Sequence, residues 1–238
     1  MIRPRDRLPW KPDPLGAGVL LVLTVIAGGL DAVAFIALGG TFVGNQTGTV
    51  LLLVMGITDT APVETAASAA SLVSFVVGAA LAGRVLPTTA PGEPWPRHTR
   101  TVLLIEVVLI ATSAALSAVD DVGSAVIVAP IALAMGLQAG LARRVALPYL
   151  TTAYITGATT GAAMSSPLGD RSTPWWWIAA VPVAALAVGA AFGALLTRSS
   201  TGLALAAIGL FTIVALGLTM LHPHAPAATD NDAGRGPR

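Results

Sequence analysis

Gly28-Gly29-Leu30-Asp31 and, a little further on, Asn45-Gln46-Thr47-Gly48 are two polar, glycine-bearing stretches set into apolar sequence, and both return in the second half of the chain. Met135-Gly136-Leu137-Gln138 matches the first, and Thr156-Gly157 matches the second. A third match is verbatim: Val77-Gly78-Ala79-Ala80 against Val188-Gly189-Ala190-Ala191. The offsets are 107 residues (Gly29 to Gly136), 109 (Thr47 to Thr156) and 111 (Gly78 to Gly189), growing by two as small loop insertions would make them. The order and spacing point to a duplicated chain, with repeat one over about 15–119 and repeat two over about 122–221. Polar breaks inside apolar segments of duplicated halves are the pattern of membrane transporters, where broken helices meet at a midplane site.

Composition sets the class. Hydrophobic residues make up 55% of the 238 positions, charged residues 11%, and the mean hydropathy is +0.79, too apolar for a soluble domain of this size. Apolar runs fall at about 15–38, 63–83, 101–119, 122–142, 175–197 and 201–221. Each is near the roughly 20 residues that cross a bilayer core. Segments 42–58 and 150–168 are weaker. The absence of cysteine excludes disulfides, thiolate metal sites and cysteine nucleophiles. A net charge of +1 argues against a nucleic-acid partner. Arg3, Arg5, Arg7 and Lys11 followed by an apolar run imitate a secretory signal, with Ala32-Val33-Ala34 as the cleavage site. The run is too long for a signal core, however, and it contains the repeated Gly29-Leu30-Asp31. Residues 1–14 are therefore expected to be a cytoplasmic N-terminal segment. Residues 86–100, with four prolines, are expected to be a polar loop, and 222–238 a disordered tail.

Charge chooses the number of crossings, because positive residues near span ends favour the cytoplasm. If all eight segments cross, the thirteen Lys and Arg divide seven to six, with no bias either way. If 42–58 and 150–168 enter and leave on the same side, twelve lie inside and only Arg198 outside. A version in which 150–168 alone crosses divides them ten to three. Six spans with a cytoplasmic N-terminus are thus expected, which makes the second repeat inverted relative to the first. Trp10, Trp95 and Trp175 to Trp177 flank spans, as an interfacial belt requires. The two weak segments carry too much polar backbone and too many Thr and Ser for lipid, so both are expected inside the bundle.

Asp31 is the sharpest chemical signal, since a carboxylate within an apolar span costs several kcal/mol unless paired or hydrated. It reads either as a proton or cation site or as a structural acid bonded to nearby backbone. Its repeat partner by sequence is Gln138. Gly48 and Gly157 let backbone approach a ligand, while Asn45, Gln46, Thr47 and Thr156 offer side-chain donors and acceptors. The alternative for these residues is tight helix packing. Glu106 lies a turn or two from Arg100 and is expected near a membrane boundary. Ala67, Ser71, Ser74, Gly78 and Ala82 form a small-residue stripe on one helical face, and with Gly189 and Gly193 they read as packing surface. No histidine or lysine falls in a span to serve as base, and no hydrolase, phosphate-loop or zinc motif is present, so neither an enzyme nor a metal or cofactor site is expected.

These residues resemble the YoaK-like membrane proteins, the family catalogued as domain of unknown function 1275. The likeness is carried by Gly29-x-Asp31-Ala32 with Phe35, Leu38-Gly39-Gly40-x-Phe42-Val43, Asn45-x-Thr47-Gly48, Met135-Gly136-Leu137-Gln138 and Thr156-Gly157, over about residues 15–215. The chain departs at Gln46, where Met is common, at Thr49, where the family often has Asn, and at Ala139, where Asn often follows the Gln. The resemblance implies a multi-span protein of the bacterial inner membrane, grouped with candidate transporters and without an established substrate.

The expectation is therefore an all-α integral membrane protein of six full transmembrane helices plus two re-entrant or half-helix Thr-Gly segments, in two inverted repeats. Asp31, Asn45, Gln46, Thr47, Gly48, Gln138, Thr156, Gly157 and Glu106 are the candidate solute or ion pathway of a small secondary transporter, ion-coupled through Asp31. The alternative is a non-transporting membrane scaffold or accessory subunit. The partners expected are the lipid bilayer, an unidentified small solute or ion and, through the Gly and Ala faces, a second copy of the chain.

Overall fold

The structure, a computed structural model, describes residues 14–86, 98–145, 155–172 and 176–221. The basic N-terminal segment, most of the proline-rich loop, the stretch just before Ile155 and the tail lie outside the described residues. All described regular structure is helical: α1 (Pro14–Ala37), α2 (Gln46–Ile57), α3 (Thr65–Val85), α4 (Thr99–Leu116), α5 (Ser124–Val145), α6 (Ile155–Ser165), α7 (Ala180–Thr197) and α8 (Thr201–Leu221), with a 3₁₀ turn over Trp176–Ala179 leading into α7. Six helices are long and apolar enough to cross a bilayer, α7 counted with its 3₁₀ turn. Their bounds lie within three residues of the runs read from hydropathy. At 12 and 11 residues, α2 and α6 reach only about 18 Å and cannot span a core of about 30 Å.

Direction follows from which residues meet. A Cβ placed on Gly189 would fall on the Val25 carbonyl oxygen, and one on Gly193 would lie 2.5 Å from the Gly29 carbonyl oxygen, so α1 and α7 run parallel. Gly136 packs on Phe75 and Gly140 on Ala82, so α3 and α5 are parallel as well. Helices α4 and α8 are antiparallel: Arg100 donates to the Thr219 carbonyl at 2.9 Å, Gly209 faces Ile110 and Gly202 faces Ser117. The Glu64 amide donates to the Gly39 carbonyl at 2.8 Å, which brings the start of α3 back to the end of α1. One membrane face therefore holds the start of α1, the end of α3, the start of α4 and the end of α8. A crossing at 150–168 would reverse α7 and α8 and make α1–α7 antiparallel, against these contacts.

Buried apolar side chains concentrate on α1 and α5, which pass through the middle of the bundle, while α3, α4, α7 and α8 surround them. The small-residue stripe is buried as expected, with Ala67, Ser71 and Ala82 inaccessible to solvent. The Gly and Ala faces are used within one chain, α3 against α5 and α7 against α1, so they carry no argument for a second copy.

The expectation that both short segments lie inside the bundle is corrected. Helix α2 packs on α3 and buries only Thr49, and α6 buries no residue. Once the backbone amides are paired within a helix, side chains decide its environment, and α2 turns Val50, Leu51, Val54 and Met55 outward, a face suited to hydrocarbon.

Candidate functional site: a cavity at the two helix breaks

The turn after α1 is made by Gly39 and Gly40, at φ +82° and +72°, a backbone region that side chains disfavour. It returns the chain alongside α1, where Asp31 receives it. One carboxylate oxygen of Asp31 accepts the amides of Val43 at 2.8 Å and Gly44 at 2.7 Å, and the other accepts that of Asn45 at 3.2 Å. An acid placed at the amides leading into α2 also satisfies the positive end of that helix. Asn45 then caps α2, its Oδ1 accepting the Gly48 amide at 3.2 Å. The Phe42 carbonyl accepts hydroxyls from Thr49 at 2.9 Å and from Ser71 of α3 at 2.6 Å. Gly48 is small because the Phe42 ring lies 2.7 Å from where its Cβ would be.

Asp31 lies six residues before the end of α1, about 9 Å below that membrane face. The end of α2 returns to it, since Gly56 packs on Val63 and Thr65. Segment 42–58 thus enters and leaves on one side, as the charge count required.

Beside this turn is a cavity of about 910 Å³, within the range of small-molecule sites. Asp31, Asn45, Thr47 and Gly48 line one part of it, and Ile155 and Thr156, the first residues of α6, line another. Ala139, Ala190 and Ala194 provide room by being small, and Phe35 stacks on Phe42 at the wall, with centroids 5.1 Å apart and planes at 11°. The hydroxyls of Thr47 and Thr156 make no hydrogen bond among the described residues. Asp31 has its carboxylate engaged by backbone, which supports its structural reading, yet it still borders the cavity.

Four of the nine candidates fall elsewhere. Gln46 turns its amide back to the Val43 carbonyl at 2.9 Å. Gly157 is exposed one residue beyond the lining. Gln138 is fully buried and donates from Nε2 to the Leu23 carbonyl at 3.0 Å, tying α5 to α1 instead of facing the cavity. Glu106 is not at a boundary: it is completely buried midway along α4. Sequence reasoning in turn missed Phe35, Phe42 and the alanines as wall residues. The aromatic pair flanking Gly39-Gly40 was the available signal, since aromatics are only 5% of the chain.

Six apolar spans, two half-length helices and a shared cavity at the starts of both half-helices define a multi-pass α-helical membrane protein with broken-helix architecture. The chain belongs to the family described as protein of unknown function (DUF1275), whose model matches residues 19–218. It is similar to the UPF0700 transmembrane protein YoaK of Bacillus subtilis (strain 168), at 25% identity over 140 residues. That match covers 58% of this chain and 62% of YoaK, so less than two thirds of the relative is spanned. No solved structure matches.

Proposed function

We propose that the protein is a small secondary transporter or permease, and that a small polar solute occupies the cavity between the starts of α2 and α6. The observation that carries this reading is the convergence of Thr47-Gly48 and, 109 residues on from Thr47, Thr156 on one cavity beside Asp31. In broken-helix transporters the solute site lies where half-helix ends from two repeats meet.

An inverted repeat is supported by the way helices pair. The pairing of α1 with α7 has its counterpart in α5 with α3, α1 with α8 in α5 with α4, and α2 with α3 in α6 with α7. Gly136 packs on the Phe75 carbonyl and the Ala79 amide, and Gly28 packs on the Leu186 carbonyl and the Ala190 amide, positions 111 residues later in both cases. On this reading Gly28, not Gly29, corresponds to Gly136, and Ala139 falls at the place of Asp31. Both Asp31 and Ala139 line the cavity. The two halves then present a carboxylate and a methyl group to the solute, an asymmetry suited to orienting it.

The reading is tested by filling the cavity. Ala190→Trp should leave insertion and thermal stability in detergent nearly intact while abolishing whatever solute difference the wild-type protein produces between expressing and non-expressing cells. Identical solute profiles for wild type, Ala190→Trp and empty cells, across amino acids, amines, sugars and carboxylates, would sink the transport reading and leave the scaffold.

A further inference from the structure

Away from the cavity, Glu106 lies in the middle of α4, about 10 Å from one end of the helix and about 15 Å from the other. Its solvent exposure is 0%, and neither carboxylate oxygen has a hydrogen-bond partner among the described residues. The α4–α8 register places a second orphan at the same level. Ile110 meets Gly209 and Arg100 meets Thr219, so Glu106, four residues before Ile110, stands level with Thr212, three residues after Gly209. Thr212 is also at 0% exposure, with its hydroxyl unpartnered.

An ionised carboxylate without partners in a low-dielectric core is far costlier than its neutral form, and such groups neutralise. The packed helices supply no countercharge at this level. Helix α8 has no ionisable side chain, and those of α5 are Arg143 and Arg144 in its last turn. On α4 itself Arg100 lies six residues away, directed to Thr219. A hard metal cation would need some six oxygen ligands, whereas two carboxylate oxygens and one hydroxyl suffice for a proton. We propose that Glu106 is an internal proton site, a carboxyl that keeps its proton while the α4–α8 seam is closed and has the Thr212 hydroxyl at its level. Deprotonation would leave a bare charge in the closed core, so proton release requires the seam to open or water to enter. The site is separate from the cavity and does not rest on the transport reading.

Infrared absorption of the full chain in lipid vesicles at pH 7 tests it. A protonated-carboxyl carbonyl band is expected in the wild type, lost in Glu106→Gln, retained but displaced in Glu106→Asp, and displaced in Thr212→Val because the polar group at its level is gone. Any other protonated carboxyl would persist in all three variants. The proposal is overturned if the wild type has no such band, if Glu106→Gln leaves it unchanged, or if Glu106→Gln removes only ionised-carboxylate absorption. Should Glu106→Gln fail to fold, the wild-type band and its displacement in Glu106→Asp decide the matter.

Discussion

Three amides converge on the carboxylate of Asp31, and this one side chain sets where the helix break begins. Asp31→Ala leaves the Val43, Gly44 and Asn45 amides without their acceptor inside a span, and a loss of at least about 2 kcal/mol is expected. Asp31→Asn should lose less, since one carbonyl oxygen still serves Val43 and Gly44. Thermal unfolding in detergent, with Ala falling below Asn and Asn below wild type, would bear this out; equal stability of all three would mean the amides find other acceptors. Gln138 makes the opposite case. Its Nε2 bond to Leu23 is offset by a buried Oε1 without a partner, so Gln138→Leu should change stability by no more than about 1 kcal/mol. Asp31 was legible as important because a charge in an apolar span is rare. What its carboxylate binds was not, because those amides lie 12 to 14 residues away along a turn that only the folded chain closes.

At the scale of elements, the glycines fall into two kinds that look alike in sequence. Gly78 and Gly189 sit where a Cβ would strike the carbonyl oxygens of Leu133 and Val25, while Gly18 and Gly217 meet nothing within 4 Å. Gly78→Leu and Gly189→Leu are expected to cost more than about 3 kcal/mol by forcing the paired helices apart, and Gly18→Leu to be tolerated. Comparable yields of folded protein for all three would refute the close α3–α5 and α1–α7 packing. The Val-Gly-Ala-Ala that occurs twice exposed the first kind in advance, since each copy holds one of these glycines. The short helices were legible in extent but not in placement. The first turn of α2 is polar and its remainder apolar, and an average over the segment hides that one end faces a cavity and the other side faces outward.

For the molecule as a whole, the parallel and antiparallel pairings assign every described connection to one of two membrane faces. Because no native cysteine is present, single cysteines report this directly. Replacements of Asp59, Asp121 and Ser199 should react with an impermeant thiol reagent from one side, and replacements of His98 and Asp170 only from the other. With the N-terminus shown to be cytoplasmic, His98 reacting from outside intact cells and Asp59 only after lysis would make 42–58 a full crossing and undo the re-entrant arrangement. With the basic N-terminal segment expected in the cytoplasm, His98 should be labelled only after cell lysis.

Hydropathy and charge, which are properties of residues taken in order, determined that this chain is helical, that six stretches are long enough to cross a bilayer and that two are not. Spacing alone also paired Thr47 with Thr156, two residues that line one cavity. Tertiary structure decided what depends on contacts between distant residues. It gave Asp31 to the backbone of the α2 turn, set Gln138 between α5 and α1, moved Glu106 from a boundary into the closed core, and drew the starts of α2 and α6 to one cavity. A side chain's polarity can be read where it stands in the sequence; what it faces is fixed by helices that pack against it from elsewhere in the chain.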